Sequence, residues 1–311
     1  MGSQQTAQKL LSVIIPVRNW DIGPLLNALL AEISSSAMGD HLEIIIADDC
    51  SEKRYRRINQ VHVQQADCIS YYERKHCRGR AAIRNDLLMR ASGTYILFLD
   101  ADVLPDKPDF LETYFACVRK DEPVVCGGVS YKSRMLLDKK YDFYLYKGKR
   151  TEWLPAKKRQ QVAWRYFFSA NVLIKRSILE RISFDERFSG YGYEDIEWGI
   201  RLDKAFGIQQ IDNTCSHLGL IEKHRAFSRM RSSIDNFMLL QKMHPNTFRQ
   251  TGVAPVAKKL GRCPSFVLRS MDAICSSCFA LSPWHRASLL FFQVDKAVLL
   301  ALAGRKNREN T

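Results

Sequence analysis

Thr94-Tyr95-Ile96-Leu97-Phe98-Leu99-Asp100-Ala101-Asp102 decides how this chain is read. Its first six residues are mostly aromatic or branched and lie between Gly93 and Pro105, which predicts a buried strand. Two carboxylates, Asp100 and Asp102, emerge at the strand's C-terminal end. In open α/β sheets that edge is where ligands bind. Carboxylates one residue apart at such a place can hold a hard divalent cation such as Mg²⁺ or Mn²⁺, which prefers oxygen ligands. An acidic turn capping a strand would look the same in isolation, so the weight falls on the neighbouring segments.

Outward from that strand, apolar runs and helical patterns alternate. Leu11-Ser12-Val13-Ile14-Ile15-Pro16-Val17 reads as a first strand, and Leu25 to Ile33 has helical spacing. Leu42-Glu43-Ile44-Ile45-Ile46-Ala47 reads as a second strand running into Asp48-Asp49, and Cys68 to Arg74 as a third. Arg80 to Ser92 is helical in composition, and Gly93 ends it. Phe110 to Lys120 reads as a helix, and Val124-Val125-Cys126-Gly127-Gly128-Val129 as one further strand. This alternation predicts an α/β fold, a mostly parallel sheet with helices on both faces. Asp48-Asp49 and Asp100/Asp102 then project from one sheet edge. Two acidic pairs at one edge are hard to explain as solvated turns.

The 311 residues suit one large α/β domain plus an appendage, or two small domains. With 46% apolar and 26% charged residues, a sizeable core is available. The net charge of +14 points to anionic partners, either nucleotide phosphates or an anionic membrane surface. The chain carries no RNA- or DNA-binding motif, so nucleic acid is not an expected partner. Its nine cysteines include one C-x-x-C, Cys275 and Cys278, with no second pair to complete a zinc site. Scattered cysteines of this kind read as reduced thiols in a cytoplasmic protein. Leu10 to Val17 is short and contains Pro16, so it reads as a strand and not as a secretory signal. Residues 1–9 read as a flexible polar start, although Met1 to Thr6 loosely fits a myristoylation pattern.

Two later regions change character. From Lys132 to Gln161, ten lysines and arginines interleave with Tyr131, Tyr141, Phe143, Tyr144, Tyr146 and Trp153. This reads either as a basic, solvated insertion or as a mobile wall facing an anionic substrate or phospholipid. Residues 246–311 read as a separate helical extension, with helices expected over Ser265 to Leu281 and Trp284 to Ala303. Asp295 and Lys296 break the second apolar run, so neither uncharged run approaches the roughly 20 residues of a spanning helix. A core-packing helix and one lying in a membrane interface both fit it.

A third motif completes the set: Phe184-Asp185-Glu186-Arg187-Phe188-Ser189-Gly190-Tyr191-Gly192-Tyr193-Glu194-Asp195-Ile196-Glu197-Trp198-Gly199-Ile200-Arg201-Leu202. Acidic residues at a helix start suit the helix dipole, and Glu197 and Arg201 can pair along the helix. Neither explains the glycine- and tyrosine-rich lead-in. A carboxylate beside a loop that moulds to a ligand is a natural general base.

Taken together, the chain resembles the family 2 glycosyltransferases of the GT-A fold over roughly residues 10 to 225. The likeness rests on Ser12 through Asn19, Ile46 through Ser51, Arg78 through Asn85, Phe98 through Asp102, and Phe184 through Leu202. Gly192-Tyr193-Glu194-Asp195-Ile196-Glu197-Trp198 is also similar to the galactosyltransferase-type half of chondroitin-polymerase-like enzymes. That likeness implies UDP-galactose, UDP-GalNAc or a relative as donor. With the change of character near residue 246, the chain is expected to divide into a GT-A domain over 10–245 and the extension over 246–311.

The resemblance implies roles residue by residue. Pro16, Arg18 and Asp49 would line the uridine pocket, with Arg80 and Arg84 facing the nucleotide. Asp100 would sit near ribose and metal, and Asp102 would ligate Mn²⁺ or Mg²⁺. Asp195 would be the catalytic base and Glu194 would bind acceptor or donor sugar. A histidine past the following strand often completes the metal site, and His217 and His224 both qualify. Cys50 stands where glycine is common. The implied activity is metal-dependent, inverting transfer from a UDP-sugar to a hydroxyl of a glycan or lipid-linked acceptor, in polysaccharide biosynthesis. The place would be the cytoplasm, peripheral to the inner face of the cell membrane. The chemistry agrees: a metal neutralises the departing diphosphate, and one carboxylate takes the acceptor's proton in a single displacement. A nucleotidyltransferase would need a glycine-rich phosphate loop, and Pro16-Val17-Arg18-Asn19 is not one. A non-catalytic nucleotide-sugar-binding or scaffold protein of the same fold is the alternative. The intact Asp100/Asp102 and Glu194/Asp195 sets argue against it.

Overall fold

A computed structural model describes residues 9–36, 38–134, 138–248 and 252–309. The chain forms two compact units. The first comprises Met1–Met135, Lys149–Arg187 and Asp195–Gly219, and the second Leu136–Gly148, Phe188–Glu194 and Leu220–Thr311.

The first unit is built on a seven-stranded sheet. Its strands are β1 (Leu11–Val17), β2 (Leu42–Asp48), β3 (Ile69–Glu73), β4 (Tyr95–Leu99), β6 (Val124–Cys126), β8 (Asn171–Lys175) and β9 (Gln209–Gln210). A second, three-stranded sheet holds β5 (Val103–Pro105), β7 (Val129–Ser130) and β10 (Cys215–His217). The large sheet has the order β3-β2-β1-β4-β8-β6-β9. It is parallel throughout except for β8, which runs against both of its neighbours.

Strand β4 is buried along its whole length, as expected for a strand covered on both faces. Its side chains alternate between two cores. Leu97 and Leu99 join Val13, Ile15, Leu25 and Leu29, packing under α1 (Gly23–Ser34). Ile96 and Phe98 join Ile14, Ile45, Ala81, Leu87 and Trp198 on the other side. The helices α2 (Lys53–Val63), α3 (Arg80–Arg90) and α4 (Phe110–Arg119) follow β2, β3 and β5. Because β1, β2, β3 and β4 pair in parallel, their C-terminal ends lie at one edge of the sheet. The small sheet grows from that edge: β5 runs antiparallel to β10, which pairs in parallel with β7.

Several expectations are corrected here. The run Val124 to Val129 is not one strand; it breaks at Gly127-Gly128 into β6 and β7, which belong to different sheets. Gly128 turns the chain at φ +80°, and a Cβ there would lie 2.5 Å from Arg159 Cζ. The run Ile208 to Ser216 divides in the same way into β9 and β10. Arg159 is no solvated charge but is fully buried. It donates to the carbonyls of Leu154 (2.9 Å), Gly127 (3.1 Å) and Ile211 (2.6 Å), stapling the break in place. Tyr131, Phe143 and Tyr144 are buried too, so the basic region's aromatic residues are largely core and do not form an exposed wall.

In the second unit, α5 (Asp142–Thr151) contributes Phe143, which packs against Phe279 and Phe292. The unit's other main helices are Lys223–Ser232, Ile234–Met243, Ala254–Leu260, Ser265–Leu281 and His285–Glu309. The boundary expected at 245/246 therefore falls inside this unit. Lys223–Ser232 and Ile234–Met243 pack against the last helix. The last helix also departs from the expectation about spanning. His285–Lys306 is long and apolar enough to cross a membrane by length and composition, because the surrounding leucines and alanines outweigh Asp295 and Lys296. Asp295 is nevertheless buried, and Arg231 bridges it (2.9 Å) to Asp272 (2.6 Å), the arrangement of a helix packed in protein.

Burial and the neighbouring Asp272 push the Asp295 carboxyl up to about 7, against the opposing pull of Arg231. The unfolded chain releases that proton near pH 4. The stabilisation from the folded-state proton is therefore present at low pH and lost as pH rises from about 4 to 7. Thermal unfolding at pH 5.5 and 8 should show a loss of stability in the wild type. The loss should be visibly smaller in Asp295→Asn, which keeps a neutral side chain at both values; an identical loss would remove Asp295 as its source.

Candidate active site

The C-terminal ends of β1, β2 and β4 bring the first motifs together. Asp49 is buried at the end of β2; its backbone N–H donates to Val17 O (2.9 Å). Its Oδ1 accepts from Arg74 Nη1 (3.4 Å) and from the Arg78 backbone N–H (3.3 Å). Asp48 instead turns inward, accepting from the Ser51 N–H (2.6 Å) and the Tyr71 hydroxyl (3.1 Å). Of the two carboxylates, Asp48 shapes the turn and Asp49 faces the arginines. Pro16 is half-buried and Arg18 exposed beside this turn. Asn19 ties the two loops together, donating from its N–H to Ser51 Oγ (2.8 Å) and accepting from the Glu52 N–H (2.7 Å).

Asn19 (φ 51°), Cys50 (φ 62°) and Tyr193 (φ 73°) are three of the four non-glycine residues with positive φ among the described residues. All three lie in the quoted motifs, and strained backbone of this kind clusters at functional sites. The conformation of Cys50 also explains why glycine suits that position.

Asp100 ends β4 and accepts from Arg84 Nη2 at 2.5 Å, with Arg84 almost wholly buried. Burial alone would raise the Asp100 carboxyl; the charges of Arg84 and Arg80, the Arg84 hydrogen bond and His217 outweigh it and hold it below the usual range. Asp102, two residues on, lies with Oδ2 3.5 Å from His217 Nε2. Its carbonyl accepts from the Leu218 N–H at 2.7 Å. A Cβ on Gly219 would sit 2.1 Å from Asp102 Oδ2, so only glycine leaves that carboxylate its place. Neighbouring ligands on a six-coordinate Mn²⁺ or Mg²⁺ stand roughly 3 Å apart, given bonds of about 2.1 Å. A carboxylate and an imidazole 3.5 Å apart fit that requirement, with open positions left for diphosphate oxygens. His224 belongs to the second unit, where it is exposed and pairs with Glu222 (3.3 Å).

What holds His217 opposite Asp102 is a clamp that the sequence does not announce. The buried carboxylate of Asp106 accepts from the hydroxyls of Ser130 (2.6 Å), Thr214 (2.5 Å) and Ser216 (2.5 Å). It thereby joins the three strands of the small sheet. Thr214 and Ser216, two residues apart on one strand face, are the only local signal of it.

Glu194 and Asp195 open the helix Glu194–Phe206, Glu194 buried and Asp195 half-buried. That helix is fixed by Trp198, which donates to Ile182 O (3.0 Å) and packs among Phe98, Phe167 and Phe184. Asn85 pins the preceding segment, exchanging two hydrogen bonds with the Phe184 backbone. Glu197 takes the expected partner, Arg201, in a two-pronged pair. In the second unit, Tyr193 packs its ring on Phe237 at 4.9 Å under the Lys296 ammonium.

Comparison with known proteins gives the following likenesses. The profile of Glycosyl transferase family 2 matches residues 12–183, more than half of the chain. A Bacillus subtilis protein described as an uncharacterized glycosyltransferase, YfnE, is 27% identical over 240 residues, covering 62% of this chain and 60% of that protein. The chondroitin synthase of Pasteurella multocida is 25% identical over 228 residues, covering 62% of this chain and 23% of that protein. This chain thus spans less than two thirds of either relative's length. Among solved structures, the mannosyltransferase PcManGT of Pyrobaculum calidifontis, in complex with GDP-Man and Mn²⁺, superposes with a TM-score of 0.53. It is 19% identical, over 98% of this chain and 89% of that one. That likeness establishes the GT-A fold.

Removing the Asp106 carboxylate in Asp106→Ala strands three hydroxyls and loosens β10. Mn²⁺ affinity, read by electron paramagnetic resonance titration, should fall about 10–100-fold, the usual scale for loss of a group that orients a ligand. Unchanged Mn²⁺ affinity in a folded variant would show that the clamp does not govern the Asp102–His217 pair.

Proposed function

The chain belongs to glycosyl transferase family 2 and is a glycosyltransferase; from that premise we propose that it moves a sugar from a UDP-sugar to a hydroxyl of a glycan or lipid-linked acceptor, with inversion and with a divalent metal. The observation that carries this reading is the Asp102–His217 pair beside the Arg84-bound Asp100 at the carboxyl edge of β4.

Asp49 supplies a buried acceptor for a base N–H, and Arg18 stands beside it. Asp100, kept ionised by Arg84 and Arg80, offers a carboxylate to the ribose. Asp102 and His217 would hold Mn²⁺ or Mg²⁺, which when bound supplies the charge that stabilises a departing diphosphate. Asp195 is assigned the acceptor's proton. As the acceptor oxygen bonds to the anomeric carbon, the bond to the diphosphate breaks, and Asp195 takes the hydroxyl proton. Glu194, its side chain about 100° around the helix from Asp195, is assigned to sugar binding. PcManGT, a protein of the same fold, is named with GDP-Man and Mn²⁺, which supports a nucleotide-sugar donor and a metal here.

A membrane-peripheral place on the cytoplasmic face is part of the same reading. In the second unit, Phe266, Ile274, Leu281, Trp284 and Leu290 are exposed along consecutive helices. Arg262, Arg269 and Arg286 flank them. Between residues 254 and 290 the only carboxylate is Asp272, and it is engaged by Arg231. An apolar face with a tryptophan and a basic border suits an anionic lipid surface.

Two experiments test these assignments. Asp195→Asn cannot accept a proton, so transfer should fall by roughly 10²–10⁴-fold while UDP affinity by calorimetry stays near wild type. Asp102→Asn and excess chelator should each remove most turnover, on the order of 10²-fold or more. Full turnover in chelator would refute metal dependence; near wild-type transfer by Asp195→Asn would place the base elsewhere. For the membrane, flotation should show salt-sensitive preference for anionic over neutral vesicles. Leu281→Ala with Trp284→Ala should weaken it at least 10-fold, since each large side chain is worth about 1.5–3 kcal/mol on burial. Equal flotation with neutral vesicles would leave these helices without a lipid role.

A further inference from the structure

Among the described residues, one group of three side chains has its metal-ligating atoms all within 4.8 Å of one another: Asp49, Cys50 and Cys77. It shares no residue with the Asp102–His217 pair. The two sulfurs lie within 4.8 Å of each other. Each also points at a main-chain carbonyl, Cys50 Sγ at Arg74 O (3.6 Å) and Cys77 Sγ at Asp49 O (3.5 Å). Cys77 is exposed, so the group has an entry path.

We propose that Asp49, Cys50 and Cys77 form a binding site for a soft divalent cation of the zinc class. In a tetrahedral zinc site, bonds of about 2.0–2.3 Å put neighbouring ligands roughly 3.3–3.8 Å apart, so closure from the observed spacing asks for movements of about 1 Å or less. Thiolate ligands select such a cation over Mn²⁺ and Mg²⁺, which favour oxygen. On binding, two S–H bonds break, two metal–sulfur bonds form, and two protons pass to solvent. Two thiolates and a carboxylate around a divalent ion leave one negative charge, which Arg74, 3.4 Å from Asp49 Oδ1, offsets. The fourth position is left to water. A consequence rests on the placement of Asp49 in the nucleotide pocket. Cation and uridine nucleotide would need the same carboxylate, so each should exclude the other.

The test uses the reduced 311-residue chain titrated with Co²⁺ as a spectroscopic stand-in for Zn²⁺. Wild type and Asp102→Asn should both give a sulfur-to-cobalt charge-transfer band saturating at one equivalent and displaced by Zn²⁺. Cys77→Ser and Cys50→Gly should lose the band and bind Zn²⁺ about 100-fold more weakly. Cys50→Gly suits the left-handed backbone at that position, so failure to fold would not explain its loss, and Cys77→Ser should retain basal transfer. The absence of a thiolate band in wild type would overturn the proposal, as would its persistence in both cysteine variants. So would an intact mass two hydrogens short, the mark of a Cys50–Cys77 disulfide. UDP should raise the apparent Zn²⁺ dissociation constant. If it does not while the band is intact, the cation site stands and the placement of Asp49 against the base falls.

Discussion

Three hydrogen bonds to the buried Asp106 carboxylate tie β5, β7 and β10 into one small sheet, and the candidate metal pair hangs on them. Asp102 and His217 are 115 residues apart in the chain, yet their side chains stand 3.5 Å from each other. The antiparallel register of β10 on β5 sets Val103 opposite His217 and so places the imidazole beside Asp102. Hydrogen bonds to a charged acceptor are worth about 1.5–3 kcal/mol each, enough to resist slippage in strands only two and three residues long. Gly219 adds the last condition by leaving the Asp102 carboxylate room.

The electrostatics follow from where the charges are buried. A chain of net charge +14 gathers carboxylates at one sheet edge and sets arginines against them. Arg84 is nearly excluded from water, and breaking one partner of such a pair strands the other charge. Asp100 and Arg84 are therefore bound to each other's presence, whatever each does for a ligand. Asp49 with Arg74 repeats the pattern at the neighbouring strand end. The positive φ values of Asn19 and Cys50 show the backbone bending tightly to present these groups.

Much of this was legible in the sequence. The runs ending at Val17, Asp48 and Leu99 are strands because continuous apolar segments flanked by turn residues have no other way to bury both faces. The motif order placed Asp49, Asp100 and Asp102 at one edge, and the geometry agrees. Three things escaped. The runs over 124–129 and 208–216 each divide between two sheets, and local hydropathy does not say which sheet each half joins. Arg159 looks like any surface arginine until the carbonyls of three separate segments converge on it. The aromatic residues of the basic region looked suited to a membrane interface, whereas Phe143 packs on Phe279 and Phe292, more than 130 residues away.

The sequence by itself determined the alternation of strands and helices, the edge at which carboxylates gather, and the family. These are properties of periodicity and of motifs that are local in the chain. Only the tertiary structure set His217 beside Asp102, since that juxtaposition depends on the register of one strand on another. It alone also joined Cys50 to Cys77 beside Asp49, and Asp106 to three hydroxyls between 24 and 110 residues away. Side-chain convergence of this kind is fixed by long-range pairing and packing, which leave no periodic trace in any one segment.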